Sequence, residues 1–116
     1  MNNINKTALT FCMTLLLGAS CTSVFAEETT TNSTTSINET ITHVEKALTE
    51  VNKSDFSAAQ LHLKSARLSS ENITGDQAKV KLANDSVIQG QIQAKHGDIK
   101  ESAAELNKAL SLYKSL

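Results

Sequence analysis

The chain has 116 residues, and its 11 Lys and Arg residues nearly balance its 12 Asp and Glu residues. This balance argues against a protein that binds nucleic acid or an anionic membrane through a strong charge asymmetry. The absence of Pro and the abundance of Ala, Leu, Lys, Gln and Glu are typical of an all-α protein.

Residues 1–26 have the pattern of a secretory signal peptide: a lysine near the start, an apolar stretch and a small-residue cleavage site that ends at Ala26. The apolar stretch is too short for a membrane span. As an alternative, Cys21 would be the lipidated first residue of a lipoprotein, although Gly18 fits that signal poorly. We therefore expect a periplasmic or secreted protein whose mature chain has no membrane span.

The predicted leader contains both cysteines and both methionines of the chain. The mature protein would therefore have no disulfide, no thiolate metal site and no thioether copper site. Residues 27–35, which follow the leader, are rich in Thr and have no apolar side chain to bury, so they are predicted to be a disordered tether.

Residues 36–70 predict a first helical hairpin. Ser36 and Glu39 form a capping box that starts its first helix, and Asp55 is an N-cap for its second. Because the polar break at 52–55 is short, the second helix must run back along the first. Apolar residues recur at spacings of three and four on the two helices: Ile37, Ile41, Val44, Leu48 and Val51, then Phe56, Ala59, Leu63 and Ala66.

Residues 76–116 predict a second hairpin of the same design. Thr74 and Gln77 form the box that starts its first helix, and Gly97 stands where that helix ends. The apolar stripes of its two helices are Val80, Ala83, Val87, Gly90 and Ala94, then Ile99, Ala103, Leu106, Leu110 and Tyr113.

The two hairpins resemble each other at an offset of 43 residues. Asp98, which forms a capping box with Glu101, takes the position that Asp55 has in the first hairpin. We predict that 36–116 form an antiparallel up-down-up-down four-helix bundle made of two similar hairpins. A tetratricopeptide pair is the competing architecture, but its repeat is about 34 residues and its aromatic landmarks are absent. Further matched pairs are Val44 with Val87, Leu63 with Leu106 and Ala66 with Ala109.

Catalysis has little support in this sequence. The three histidines fall on different predicted helices, without a Ser or Asp companion at the spacing of a catalytic motif. The glycines do not form a phosphate-binding loop. We therefore predict a protein that is not an enzyme and needs no organic cofactor.

His43 and His62 are the candidate metal ligands. They lie on the two antiparallel helices of the first hairpin, and each is about nine residues from the turn, or roughly 13 Å along its helix. They should therefore be level with each other, with Glu39 one turn before His43 as a third ligand. Two imidazoles and a carboxylate suit Cu²⁺, Ni²⁺ or Zn²⁺. The alternative is that both are ordinary surface histidines, as we expect for His96 beside the end of the third helix.

The first hairpin and its histidines resemble the small metal-binding protein family. The resemblance covers residues 36–116 and the leader, and it depends on the segments Ile41-Thr42-His43-Val44-Glu45-Lys46-Ala47 and Leu61-His62-Leu63-Lys64-Ser65. It implies a bacterial periplasmic four-helix bundle that binds copper and other divalent transition metals through histidines.

The resemblance assigns metal binding only to His43 and His62, which match histidines of the family pattern. His96 does not fall on a family position. The third and fourth helices depart from the pattern, because where the family repeats its histidines this chain has residues such as Asn84, Gln91, Glu105 and Leu112. The expected function is therefore weak binding or buffering of a divalent metal at one site.

A second hypothesis is a metal-independent interaction or scaffold module of the cell envelope. Ala83, Gly90 and Ala94 lie on one stripe of the third helix and would let a partner helix approach closely. The competing interpretation, which we prefer, is that these small residues let the third helix pack tightly within its own bundle.

Overall fold

The computed structural model describes residues 33–116, which form four helices and no strand. The first helix, α1, is helical from residue 33 to residue 52; α2 is Phe56–Ser70, α3 is Gln77–Lys95 and α4 is Ile99–Lys114. They pack as the predicted antiparallel bundle of two hairpins, α1 with α2 and α3 with α4. The predicted signal peptide and residues 27–32 of the predicted tether lie outside the described residues.

The first helix extends further toward the N-terminus than predicted. Residues 33–35, expected in the tether, are helical, so Ser36 lies within α1 and does not cap it. The carbonyl of Ser36 accepts a hydrogen bond from Thr40 Oγ1 at 2.7 Å. Ser33 Oγ accepts one at 3.1 Å from the backbone N–H of Thr74, in the loop between the hairpins. This contact across the bundle holds the extra turn of helix, which the polar local sequence does not predict.

The two hairpin turns have the same geometry. Ser54 and Gly97 both take left-handed backbone conformations, with φ of 64° and 77°. The predicted N-caps Asp55 and Asp98 are confirmed, since their carboxylates accept from the backbone N–H groups of Ala58 at 3.1 Å and Glu101 at 3.0 Å.

Only half of the predicted capping box at α4 forms. The backbone N–H of Asp98 donates to the carbonyl of Gln93 at 2.9 Å, so it is not free to receive the Glu101 side chain. The equivalent bond in the first hairpin joins the Asp55 N–H to the Glu50 carbonyl, also at 2.9 Å.

The start of α3 differs from the prediction. Asp76 is the N-cap, and its carboxylate accepts from the backbone N–H of Lys79 at 3.0 Å. Gln77 is the first helical residue, and its side-chain amide donates to the carbonyl of Ile73 at 2.9 Å. Thr74 is not the cap, because a carboxylate nearer the helix reaches the free N–H groups first.

The predicted apolar stripes face one continuous core. The small residues of α3, Ala83, Gly90 and Ala94, are buried in this core, so they do not form an open groove for a partner helix. Where α3 meets α4, Ser102 Oγ donates to the carbonyl of Gly90 at 2.8 Å. None of the helices within 33–116 has the length and hydrophobicity that a membrane crossing requires. The buried apolar residues are Val44, Ala47, Val51, Ala59, Leu63, Ala66, Ile73, Val80, Ala83, Val87, Ala94, Leu106, Ala109, Leu110 and Tyr113.

Candidate metal site

The structure brings His43 and His62 together. His43 precedes the buried Val44 on α1, and His62 precedes the buried Leu63 on α2, so each ring lies at the edge of its helix's apolar stripe. Because α1 and α2 are antiparallel and joined by a short turn, the two edges meet at the same height. The ring centres are 6.1 Å apart and the ring planes are inclined by 29°.

The surroundings of His43 favour its neutral form. Burial lowers the pKa of His43 below its ordinary value, the positive charges of Lys46 and of protonated His62 act in the same direction, and the negative charge of Glu39 acts against them. A lowered pKa keeps the ring neutral at pH 7, and a neutral ring nitrogen is the form that binds metals. Nδ1 of His43 is buried, and it has no hydrogen-bond partner among residues 33–116.

The spacing of the rings fits a shared metal ion. An ion held at about 2.0–2.1 Å by one nitrogen from each of two imidazoles places the ring centres roughly 4.5–6.5 Å apart, depending on the angle at the metal. The observed 6.1 Å lies within that range. The distance lies at the wide-angle end of that range, and binding one shared ion requires each of the two stacked rings to turn a nitrogen toward it.

Glu39 does not complete a three-residue site. It lies one turn before His43 and is exposed, and only its charge acts on the ring. Within the described part of the chain, no three His, Cys, Asp or Glu side chains come together so as to hold a metal ion. The expected third ligand is therefore not in place in this structure, and the site consists of two imidazoles.

The second hairpin has no equivalent pair. At the offset of the repeat, Ser86 and Glu105 stand in place of His43 and His62, and Ser86 is buried. The backbone carbonyl of Gln91 accepts from Gln60 Nε2 at 3.0 Å and so joins α3 to α2.

His96 lies elsewhere in the molecule. It is exposed, forms the C-cap of α3 and lines an open cleft of about 320 Å³ between the start of α2 and the end of α3. Sequence reasoning missed this cleft because its two sides are far apart along the chain. The lining residues are Phe56, Ser57, Gln60, Ala94, Lys95, His96 and Gly97.

Comparisons with known proteins assign no family to this chain. No protein-family model matches it, and no curated protein matches it either. The resemblance to the small metal-binding protein family therefore stays a prediction that depends on the two histidine segments.

Proposed function

We propose that the protein is a small exported four-helix bundle, not an enzyme, that binds a divalent transition metal weakly through His43 and His62. The observation that supports this most strongly is the juxtaposition of the two rings, with their centres 6.1 Å apart. The signal-peptide pattern of residues 1–26 supports export to the periplasm or beyond.

The ligand set determines which metals the site favours. Imidazole nitrogen suits Cu²⁺, Ni²⁺ and Zn²⁺, and Cu²⁺ binds such ligands more tightly than the other two. Because the described chain supplies two ligands, water or another molecule fills the remaining positions, and the affinity is low. Weak, reversible binding is consistent with buffering a metal ion.

Calorimetric titration of the untagged protein with Cu²⁺ tests this proposal. The thiols of Cys12 and Cys21 are first alkylated, so that they do not contribute to binding in any unprocessed chain. Loss of a direct ligand should weaken binding at least as much as loss of a second-shell partner, so His43→Ala or His62→Ala should lower the affinity by more than about tenfold.

The third histidine provides the matched control, because His96→Ala removes an imidazole that lies outside the pair and should leave affinity unchanged. Unchanged Cu²⁺ affinity in the His43→Ala/His62→Ala double variant would rule out the site. Cu²⁺ at about 100 times its Kd should also stabilise the folded protein by about 2.7 kcal/mol, measured as a rise in Tm.

A further inference from the structure

The His43–His62 pair is an incomplete site for a tetrahedral ion. Zn²⁺ in proteins takes four ligands in most structural sites and three plus water in catalytic ones. The described chain brings only these two rings together, with no third His, Cys, Asp or Glu beside them. Water fills the remaining positions in a single chain, so a site made only of side chains needs ligands from outside this bundle.

We propose that a Zn²⁺ ion at this pair is completed by the same pair of a second copy, giving a four-imidazole site on a two-fold axis. This inference rests on the proposed function, since it needs His43 and His62 to be ligands. A second copy of the chain presents two imidazoles at the spacing that the first copy has, 6.1 Å between ring centres, and binding at the tetrahedral angle draws the rings of each pair together by about 1 Å. An isologous contact of this kind is the commonest symmetry of homodimers.

The surface around the pair allows a second copy to approach. We define the histidine face as the α1 residues on the same side of the helix as His43, together with the α2 residues on the same side as His62, as judged from spacings of three and four. The α2 neighbours of His62 at spacings of three and four include the short side chains of Ala58 and Ser65, and the Ser65 hydroxyl donates to the carbonyl of Leu61 at 3.1 Å. The histidine face consists of Glu39, His43, Lys46 and Glu50 on α1, and Ala58, His62, Ser65 and Ser69 on α2, all at least partly exposed.

The charges on the histidine face are self-complementary. Glu39 lies four residues before His43, and Lys46 lies three residues after it. If the two copies of α1 run antiparallel across the ion, Glu39 of each copy lies opposite Lys46 of the other. Within residues 33–116 neither side chain forms a salt bridge, so both are available for one between copies.

Sedimentation of the untagged, alkylated protein with Zn²⁺ and with EDTA tests the proposal. We expect a dimer that holds one Zn²⁺ per two chains, and a monomer in EDTA. His43→Ala/His62→Ala should stay monomeric with Zn²⁺, while the control His96→Ala should dimerise like the natural sequence. A dimer that persists in EDTA or in the double variant would overturn the inference.

The same experiment separates this inference from the proposed function. One Zn²⁺ per monomeric chain, lost in the double variant, would overturn the shared site and leave the proposed function standing. Zn²⁺ and Cu²⁺ binding that the double variant does not change would overturn both.

A charge reversal tests the antiparallel arrangement. Glu39→Lys places like charges opposite each other twice in the dimer and should weaken it by about 2- to 30-fold, the range expected for the loss of two exposed ion pairs. Adding Lys46→Glu to that variant should restore the dimer. Equal dimerisation in all three proteins would contradict the antiparallel contact.

Discussion

Tyr113 is the largest fully buried side chain of the described bundle. Its hydroxyl donates to Asn84 Oδ1 at 2.7 Å, and Ser70 Oγ lies 2.9 Å from the same oxygen. Burial raises the pKa of Tyr113 to about 12, and the hydrogen bond with Ser70 acts in the opposite direction. This network joins α2, α3 and α4 through one amide and leaves the tyrosine hydroxyl protonated.

The ionisation of Tyr113 can be followed directly, because it is the single Tyr of a chain without Trp. The phenolate absorbance should appear near pH 12 in the native protein and near pH 10 in denaturant. Since the folded pKa is raised, the stabilisation is complete below about pH 10 and is lost as the pH rises toward 12, about 2 to 3 kcal/mol in all.

Tyr113→Phe should lose this alkaline effect. At pH 7 it should cost about 1 kcal/mol, because Asn84 loses a hydrogen-bond partner. A native phenolate midpoint near pH 10 would contradict the buried network.

At the scale of single elements, the two hairpin turns need a left-handed backbone residue at the same position and use different residues there. Ser54 in the first hairpin has φ of 64°, and Gly97 at the equivalent place in the second has φ of 77°. A left-handed conformation costs an L-residue about 1 kcal/mol that glycine avoids. No atom lies within 4 Å of a Cβ built on Gly97, so the difference between the two residues here is conformational and not steric.

Exchanging the residues at these turns should have opposite effects. Ser54→Gly should stabilise the bundle by about 0.5 kcal/mol, because relief of backbone strain exceeds the added freedom of the unfolded chain. Gly97→Ser should destabilise it by about 1 kcal/mol. Urea midpoints at constant m-value measure both, and a shift of the same sign in the two variants would contradict the equivalence of the turns.

Gly90 determines how closely α3 approaches α4. A Cβ at this position would lie 2.7 Å from Leu106 Cδ2 and 2.9 Å from Leu106 Cγ, and Leu106 is fully buried. Gly90→Ala should therefore destabilise the fold by about 1 to 2 kcal/mol, since overpacking outweighs the better helix propensity of Ala.

The repeat supplies the matched comparison. Ala47 is the equivalent of Gly90 in the first hairpin and is buried without a clash to avoid, so Ala47→Gly should also destabilise, by about 1 kcal/mol from propensity. Shortening the opposing residue, in Gly90→Ala/Leu106→Val, should recover part of the loss in thermal unfolding. A stabilising Gly90→Ala would show that the helices have room to separate.

At the scale of the whole molecule, each hairpin covers the apolar face of the other. The first hairpin contributes Val44 and Leu63 to the core, and the second contributes Val87 and Leu106 at the equivalent positions. Hydrogen bonds between the hairpins, such as the one from Gln60 Nε2 to the Gln91 carbonyl at 3.0 Å, also help to fix how the two hairpins are oriented. Short helices are marginal in water without such packing.

A single hairpin should therefore not fold. Peptides covering 33–70 and 76–116 should each show little helicity by far-UV circular dichroism and no cooperative thermal transition. Mixing them should raise the helical signal above the sum of the two, because each supplies the surface that the other buries. A cooperative transition in either peptide alone would contradict this account.

The sequence by itself determined the helices, the short turns, the Asp55 and Asp98 caps and the common height of His43 and His62. These follow from apolar periodicity, the helical rise and cap chemistry, which act over a few residues. The 43-residue repeat then predicted the bundle, because two similar amphipathic hairpins can bury their apolar stripes against each other.

Only the tertiary structure decided the rest. It extended α1 through the Ser33 contact with Thr74, placed Gly90 inside the bundle, and left Glu39 out of reach of a three-ligand site. The physical reason is that capping, helix propensity and ligand chemistry are each satisfied by several residues in the sequence. Contacts between helices that are distant along the chain determine which of these residues takes each role.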